Sequence, residues 1–267
     1  MMDSQMPFVP FQRDKPSYVL PKVSRSAADP AAPAFPIPPP ELRLGYARST
    51  EQYLANGQRN VQTMLELLQA SGARLERGTR ILDFGCGAGR MIRWLTAFAE
   101  QGEVWGTDIS AEHIVWCTQH LAPPFHFLVN TILPHLPFED RYFDVVYAGS
   151  VFTHIDDLAT TWFLELRRVL RAGGMLYVTI HDRHSIHLLT HAWPWREVPF
   201  AEFLRQNQDY AAFAHTNFAM FTIGRAAESQ VFYDVESLCE RLHGLFKVRS
   251  VTEEAYGYQT ALLLEKP

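Results

Sequence analysis

The sequence has few cysteines, no excess of positive charge and no long apolar run, and each lack excludes a class of protein. Only three cysteines, Cys86, Cys117 and Cys239, occur among 267 residues, at spacings that match neither a disulfide framework nor a zinc site. The formal net charge is -5, and the lysines and arginines form no long cluster that would attract a phosphate backbone. We therefore expect a reduced chain that does not bind nucleic acid.

Membrane-crossing segments are also absent from the sequence. No stretch is apolar for long enough to span a bilayer, and the N-terminus lacks the apolar centre of a signal peptide. We therefore expect a cytoplasmic protein with no membrane partner. The rest of the composition is ordinary for a globular fold, with 47% apolar and 20% charged residues, and the length suits one large domain with additions.

Prolines are concentrated at the N-terminus, where ten of the seventeen fall in residues 1–40. Because proline lacks an amide hydrogen, this stretch disfavours both helix and sheet. The sequence predicts a disordered tail over residues 1–42 and a folded domain over residues 43–267. A ligand for a proline-recognition domain is the alternative interpretation of the tail.

Short apolar runs alternate with helical patterns beyond the tail, which is typical of strand-helix-strand units on a parallel sheet. One helical pattern starts near Tyr46 and stops at Gly72, and further helices are predicted to start near Gly89, Ser110 and Asp156. The predicted strands are residues 80–84, 103–108, 125–129, 143–148, 175–180, 246–251 and 259–265.

Residues 183–235 break the alternation, since they are rich in aromatic side chains and show no strand-helix order. We predict a helical cap inserted between the fifth and sixth strands. Its rings either supply the core of the insert or stack on a flat or sugar-like ligand.

The strongest local signal is ILDFGCGAGR at residues 81–90, an apolar strand that runs into a glycine-rich turn and a helix. Glycines let the backbone turn sharply, and the helix start offers free amides to a pyrophosphate or to a carboxylate. A dinucleotide fingerprint would need its third glycine where Arg90 stands. Asp83 would oppose a pyrophosphate but pair with an ammonium group, and Asp108 after the next strand suits the hydroxyls of a ribose.

Four segments, in order, resemble the motifs of class I S-adenosylmethionine (SAM)-dependent methyltransferases. They are ILDFGCGAGR at 81–90, VWGTDIS at 104–110, LPFEDRYFDVV at 136–146 and LRRVLRAGG at 166–174. The last segment departs from the family pattern at Arg171 and Ala172. The resemblance extends from about residue 46 to the end of the chain. It implies a Rossmann-like α/β fold whose seven mostly parallel strands follow the order 3-2-1-4-5-7-6.

The resemblance also implies SAM as the cofactor and assigns residues to its parts. From methionine to adenine, these are Asp83, Gly85, Gly87 and Gly89 for the methionine end, Ser150 under the sulfonium, Asp108 for the ribose, Ile109 for an adenine face and Asn130 near the adenine edge.

Methyl transfer is an in-line displacement, so alignment supplies most of the acceleration and a base is needed only when the acceptor must lose a proton. His154 after the fourth strand and His181 after the fifth are the candidate bases, and each has a structural histidine as its alternative interpretation. The spacing of His181, His184, His187 and His191 could bring some of these side chains to one face of a helix, which suggests a metal site. No matching carboxylates or cysteines accompany them, so no metal is expected.

These observations predict methyl transfer to an oxygen or nitrogen of a small molecule or a glycan. GSVF at residues 149–152 lacks the tetrad found in enzymes that methylate exocyclic amines of nucleic-acid bases. The alternatives are a nicotinamide-dependent oxidoreductase and a non-catalytic SAM-binding module that recruits partners through its tail. The sequence leaves the oligomeric state open.

Overall fold

The computed structural model describes residues 8–12, 15–21, 35–44, 46, 49–225 and 229–267, and its centre is a seven-stranded sheet. In chain order the strands are β1 (Arg80–Phe84), β2 (Glu103–Asp108), β3 (His126–Val129), β4 (Phe143–Ala148), β5 (Leu170–Ile180), β6 (Lys247–Tyr256) and β7 (Gln259–Glu265). Their spatial order is β3-β2-β1-β4-β5-β7-β6. Strands β1 to β5 are parallel, while β7 runs antiparallel to β5 and β6 antiparallel to β7. The predicted order of the strands is confirmed.

Helices cover both faces of this sheet. On one face lie α1 (Thr50–Ala70) and α3 (Ala111–His120), and on the other lie α4 (Ala159–Val169) and α8 (Val235–Leu242). Because both faces are buried, the central strands are continuous apolar runs rather than alternating ones. No helix in the described part of the chain has the length and apolar character that a membrane crossing needs.

Polar caps fix where two of these helices begin. The Ser49 hydroxyl accepts the Gln52 amide hydrogen at the start of α1, and the Ser110 hydroxyl accepts that of His113 at the start of α3. The predicted start near Ser110 is therefore confirmed, whereas α4 begins later than the predicted Asp156.

The prediction of a helix that starts near Gly89 is wrong. Residues 89–99 form turns, a 3-10 segment (Ile92–Trp94) and the single-turn helix α2 (Thr96–Ala99). The amides of Trp94 and Leu95 bond three residues back, and the Arg93 side chain donates to the Gly89 carbonyl oxygen at 3.2 Å. A buried arginine thus takes the carbonyl that would accept the fourth-residue amide of an α-helix.

The insert between β5 and α8 is only partly helical, which corrects the prediction of a helical cap. It contains α5 (Arg183–His191), α6 (Pro199–Gln206) and α7 (Gln208–Phe213), followed by an antiparallel hairpin of Met220–Ile223 and Gln230–Tyr233. Phe221 and Phe232 lie opposite each other in that hairpin, and their rings stack at 4.8 Å. Such a cross-strand aromatic pair stabilises a short two-stranded ribbon.

Two backbone hydrogen bonds join the cap hairpin to the sheet. The Val231 amide donates to the Thr153 carbonyl oxygen beyond β4, and the Tyr233 amide donates to the His181 carbonyl oxygen beyond β5, both at 2.8 Å. The cap therefore lies over the C-terminal ends of β4 and β5, where open α/β sheets bind their ligands.

The N-terminal tail differs from the prediction in two places. Phe8–Gln12 and Lys15–Pro21 pair as an antiparallel hairpin, and a two-stranded ribbon tolerates proline because each strand keeps one unpaired edge. Residues 35–44 pack on the domain, with Pro38 and Leu42 buried. The rest of the tail lies outside the described residues, so its disorder stays a prediction.

We expect removal of residues 1–44 to lower the melting temperature by roughly 5 °C or more relative to removal of residues 1–34. Burying a side chain such as Leu42 contributes about 1.5–3 kcal/mol, and about 1 kcal/mol shifts the midpoint of a domain this size by roughly 2–4 °C. Ile37→Ala, at a position that is 39% exposed, is the matched control and should change little. Equal midpoints for the two truncations, measured by calorimetry, would show that the segment does not stabilise the domain.

Candidate active site

The glycine loop after β1 has a backbone that only glycine adopts easily. Gly85, Gly87 and Gly89 have φ of 82°, 51° and 77°. A Cβ on Gly85 would lie 2.3 Å from Val151 Cγ2, and one on Gly89 would lie 2.3 Å from Leu121 Cδ1. The loop therefore approaches its neighbours too closely for any side chain at these two positions.

Asp108, at the end of β2, fixes the loop in place. Its Oδ2 accepts the Gly87 amide hydrogen and its Oδ1 accepts that of Ser110, both at 2.8 Å. Each carboxylate oxygen keeps a further lone pair for a ligand hydroxyl. Ile109 follows with its side chain 59% exposed, so an apolar surface adjoins the carboxylate.

Asn130, after β3, has an unsatisfied acceptor beside this surface. Its backbone amide donates to the Asp108 carbonyl oxygen at 3.0 Å and its Nδ2 donates to the Thr131 carbonyl oxygen at 2.9 Å. Its Oδ1 is buried and has no hydrogen-bond partner among the residues that the structure describes. A buried acceptor of this kind is costly unless a ligand donates to it, and an exocyclic amino group would do so.

Asp83 lies behind the glycine loop with only 3% of its surface exposed. Burial raises the pKa of its carboxyl group to about 7; the Asp108 carboxylate adds to the rise, while the Tyr147 hydroxyl and the Arg90 guanidinium oppose it. The site therefore holds a carboxyl group that gains by pairing with a positively charged ligand group.

Arg90 is a buried residue that the sequence analysis missed as part of the site. Its guanidinium lies 4.3 Å from the centroid of the Tyr46 ring and 5.1 Å from that of Tyr256, and it donates to the Tyr256 hydroxyl. The side-chain oxygen of Asn60 accepts two more of its hydrogen bonds, at 3.1 and 3.2 Å. The partners come from α1, β6 and the segment before α1, so no local pattern in the sequence could have shown this contact.

Comparisons with known proteins agree with this geometry. The methyltransferase domain family matches residues 82–178. The demethylmenaquinone methyltransferase of Lactiplantibacillus plantarum is 30% identical over 168 residues, which cover 58% of this chain and 67% of that protein. The chain belongs to the class I SAM-dependent methyltransferases.

Two further comparisons show how far the likeness extends. The ubiquinone/menaquinone biosynthesis C-methyltransferase of Neisseria meningitidis serogroup C is 33% identical over 112 residues, which cover 40% of this chain and only 44% of that relative. A SAM-dependent methyltransferase structure from Aquifex aeolicus matches with a TM-score of 0.53 at 15% identity, over 87% of this chain and 100% of the other. This structural likeness shows the fold alone.

The residues of this methyltransferase fit its cofactor. SAM carries an ammonium group, a ribose diol and an adenine amino group. The Asp83 carboxyl group suits the ammonium group, and the Asp108 carboxylate suits the ribose diol. The unpaired Oδ1 of Asn130 suits the adenine amino group. The family membership selects methyl transfer over the nicotinamide-dependent oxidoreductase and the non-catalytic module, which were the alternatives from the sequence.

Ser150, assigned to the sulfonium region, follows β4 in a strained conformation with φ of 59°. Its amide donates to Thr179 Oγ1 at 2.7 Å, and its hydroxyl accepts from Gln259 Nε2 at 2.8 Å. The strain is therefore maintained by side chains from β5 and β7.

The two candidate bases have unlike surroundings. His154 is exposed at the edge of the cap, and its Nδ1 donates to the Ser229 carbonyl oxygen at 2.8 Å. Partial desolvation lowers the pKa of His154. His181 is 2% exposed, and burial lowers the pKa of its ring to about 3, with the positive charge of His154 contributing.

The histidines beyond β5 do not converge. His184 lies beside Glu253 and Glu254, at 3.5 and 3.2 Å, whereas the rings of His187 and His191 stack on each other at 5.1 Å. Within the described ranges, no cluster of three or more histidine, cysteine, aspartate or glutamate side chains could hold a metal ion.

We expect Asp108→Ala to weaken binding of S-adenosylhomocysteine (SAH) by tenfold or more. Two hydrogen bonds to a charged acceptor are lost, each worth about 1.5–3 kcal/mol. The anchor of the Gly87 amide is lost as well. Calorimetric titration measures the effect, and Asp140→Ala, which removes an exposed carboxylate distant in the fold, is the control. If Asp108→Ala binds SAH as tightly as the parent, the carboxylate only caps the backbone and does not bind the ribose.

We expect the affinity for SAH to increase as the pH rises from 6 to 8. The Asp83 carboxyl group holds its proton up to about pH 7 in the free protein and must lose it to pair with the ligand's ammonium group. Titrations at pH 6, 7 and 8 should show the rise in the parent and a flatter profile in Asp83→Asn. A flat profile in the parent would remove Asp83 from the cofactor site.

Proposed function

We propose that this enzyme methylates an oxygen or nitrogen of a small molecule or glycan that lies between the cap, the C-terminal ends of β4 and β5, and the N-terminal end of β7. The observation that carries the proposal is the pair of hydrogen bonds from the cap hairpin to the residues after β4 and β5. They hold the cap across the edge of the sheet where an acceptor meets the methyl group. The sites assigned to SAM lie along the same edge, after β1, β2 and β3.

SAM supplies an electrophilic methyl group when it is bound, and the residues of this chain bind and orient it. Asp83 would hold the ammonium group, the glycine loop would accommodate the methionine backbone, and Asp108 would bind the ribose. Ile109 and Asn130 would contact the adenine, and Ser150 would contact the sulfonium region. The cap excludes water and fixes the acceptor, which is where most of the acceleration of an in-line displacement arises.

His154 is the proposed base for an acceptor that must lose a proton. A carbonyl oxygen only accepts, so the bond to Ser229 places the hydrogen of the neutral ring on Nδ1 and leaves the lone pair on Nε2. A lowered pKa keeps that lone pair available at neutral pH. His181 is a poor base by comparison, because burial opposes its protonation.

We expect His154→Ala to reduce turnover by about 10² to 10⁴ with little change in SAH affinity, because the loss falls in the transition state. Since the pKa of His154 is lowered, the acidic limb of the parent's rate profile should lie below the ordinary value of about 6.5, and the variant should lack it. Single-turnover rates from pH 5 to 9 test both points. Parental rates with an unchanged profile would leave alignment as the whole mechanism.

The acceptor atom is tested with SAM that carries a deuterated methyl group. Incubation with a small-molecule extract, followed by tandem mass spectrometry, finds the labelled product and locates the label on oxygen, nitrogen or carbon. Label on oxygen or nitrogen supports the proposal. Label on carbon, the atom that the name of the Neisseria relative specifies, would overturn it.

A further inference from the structure

A buried chain of hydrogen bonds connects the ends of β4, β5 and β7. The Ser150 amide donates to Thr179 Oγ1 at 2.7 Å, and Thr179 Oγ1 donates to Gln259 Oε1 at 2.6 Å. Gln259 Nε2 donates to Ser150 Oγ at 2.8 Å and lies 3.4 Å from His181 Nε2. Thr179, His181 and Gln259 are each at most 4% exposed, so bulk solvent does not reach these groups.

The direction of this chain follows from its first donor. A backbone amide only donates, so the Thr179 hydroxyl accepts from Ser150 and has its own hydrogen left for Gln259 Oε1. The opposite orientation of the Gln259 amide would leave that buried hydrogen without an acceptor. Gln259 Nε2 therefore presents its second hydrogen to His181 Nε2, and the hydrogen of the neutral imidazole lies on Nδ1.

That Nδ1 hydrogen is an unused donor. His181 Nδ1 is buried and has no partner among the residues that the structure describes. Three rings surround the imidazole, with centroid distances of 5.3 Å to Phe200, 5.6 Å to Tyr258 and 5.1 Å to Phe232. A buried donor without a partner is costly, and an acceptor atom of a ligand would satisfy it.

The rings beside His181 form a column that reaches the surface of the cap. Phe203 is 45% exposed and stacks on Phe200 with an angle of 18° between the planes, and Phe200 stacks on Tyr258 with an angle of 19°. His181 lies within 29° of both inner rings. Nearly parallel rings favour a planar guest, because offset stacking uses the whole face of the guest.

The titratable groups around His181 leave it neutral. Burial lowers the pKa of His181 to about 3 and raises the pKa of the stacked Tyr258. His154, the one charged-group influence on the pKa of His181 among the described residues, has a lowered pKa itself, and the Asp182 carboxylate accepts hydrogen bonds from the amide and hydroxyl of Ser185. An imidazole that stays neutral serves as a hydrogen-bond donor at any pH at which the fold is stable.

We propose that Gln259 holds His181 in the Nδ1–H tautomer and that this hydrogen donates to an oxygen of a planar, aromatic methyl acceptor stacked on Phe200 and Tyr258. His181 is then a substrate-orienting residue and not a base, and Gln259 is a positioning residue. The inference rests on the proposed function and narrows its acceptor to a hydroxylated aromatic compound.

The tautomer is tested without any acceptor. Proton–nitrogen correlation spectra of protein labelled with nitrogen-15 histidine, with His181 assigned from its missing signals in His181→Asn, should show the hydrogen on Nδ1 and no titration from pH 5 to 8. Gln259→Met, which keeps the volume and removes the amide, should give a mixture of tautomers. An Nε2–H tautomer in the parent, or a titration in this range, would overturn the proposal.

The acceptor class is tested with catechol and its saturated counterpart, cyclohexane-1,2-diol, in the presence of saturating SAH. Catechol should shift the His181 Nδ1–H signal and bind roughly tenfold more tightly, because stacking adds to its binding. His181→Asn places an amide nitrogen near the position of Nδ1 and should keep catechol affinity within about threefold, whereas His181→Phe should lose about three- to tenfold. Equal binding of the two diols, or an unmoved His181 signal, would overturn the proposal.

Separate readouts distinguish the two proposals. SAH affinity, measured by calorimetry, should be unchanged in the His181 variants. Labelled methyl transfer to oxygen or nitrogen without a response of His181 to catechol would end this inference and leave the proposed function intact. A correct tautomer and tight catechol binding with transfer only to carbon would overturn the proposed function alone.

Discussion

The Asp108 carboxylate accepts the amide hydrogens of Gly87 and Ser110, and the geometry of the cofactor side depends on these two bonds. One bond holds the glycine loop after β1, and the other fixes the first residue of the turn into α3. Asp108 therefore sets the distance between the loop proposed for the methionine and the strand end proposed for the ribose. Its side chain is 13% exposed, so its remaining lone pairs are open to a ligand.

A second constraint is the charge buried behind the loop. Asp83 and Arg90 are each at most 6% exposed, and Arg90 offsets its burial through cation–π contacts with Tyr46 and Tyr256 and hydrogen bonds to Tyr256 and Asn60. Because the pKa of Asp83 rises from 3.8 to about 7 on folding, the folded state keeps a proton that the unfolded chain loses. The stability linked to Asp83 is complete below about pH 4 and declines up to about pH 7. A cationic ligand group would compensate for this loss, which supports the proposed pairing of Asp83 with the ammonium group of SAM.

The acceptor side is built differently, from polar side chains that satisfy one another and from rings. Gln259 joins three strand ends that are distant in the sequence, and the cap adds Phe200 and Phe203 above them. Small changes in the cap would alter the ring column without affecting Asp108 or the glycine loop. Cofactor binding and acceptor choice are thus separable in this fold, which is one physical reason why related methyltransferases act on unlike acceptors.

The sequence by itself determined the strands of the sheet, the glycine loop, Asp83 and Asp108, because each depends on a local pattern: an apolar run, a turn that needs positive φ, or a carboxylate at a strand end. The order of the strands followed from the resemblance to class I methyltransferases. The sequence did not reveal the burial of Arg90, the break in the helix after Gly89, the cap hairpin or the role of Gln259. These depend on partners far away in the chain, such as Tyr256 for Arg90 and Thr179 for Gln259. Only the tertiary structure decided them, because burial and hydrogen-bond partners are set where distant segments meet, and a single sequence does not show which segments do.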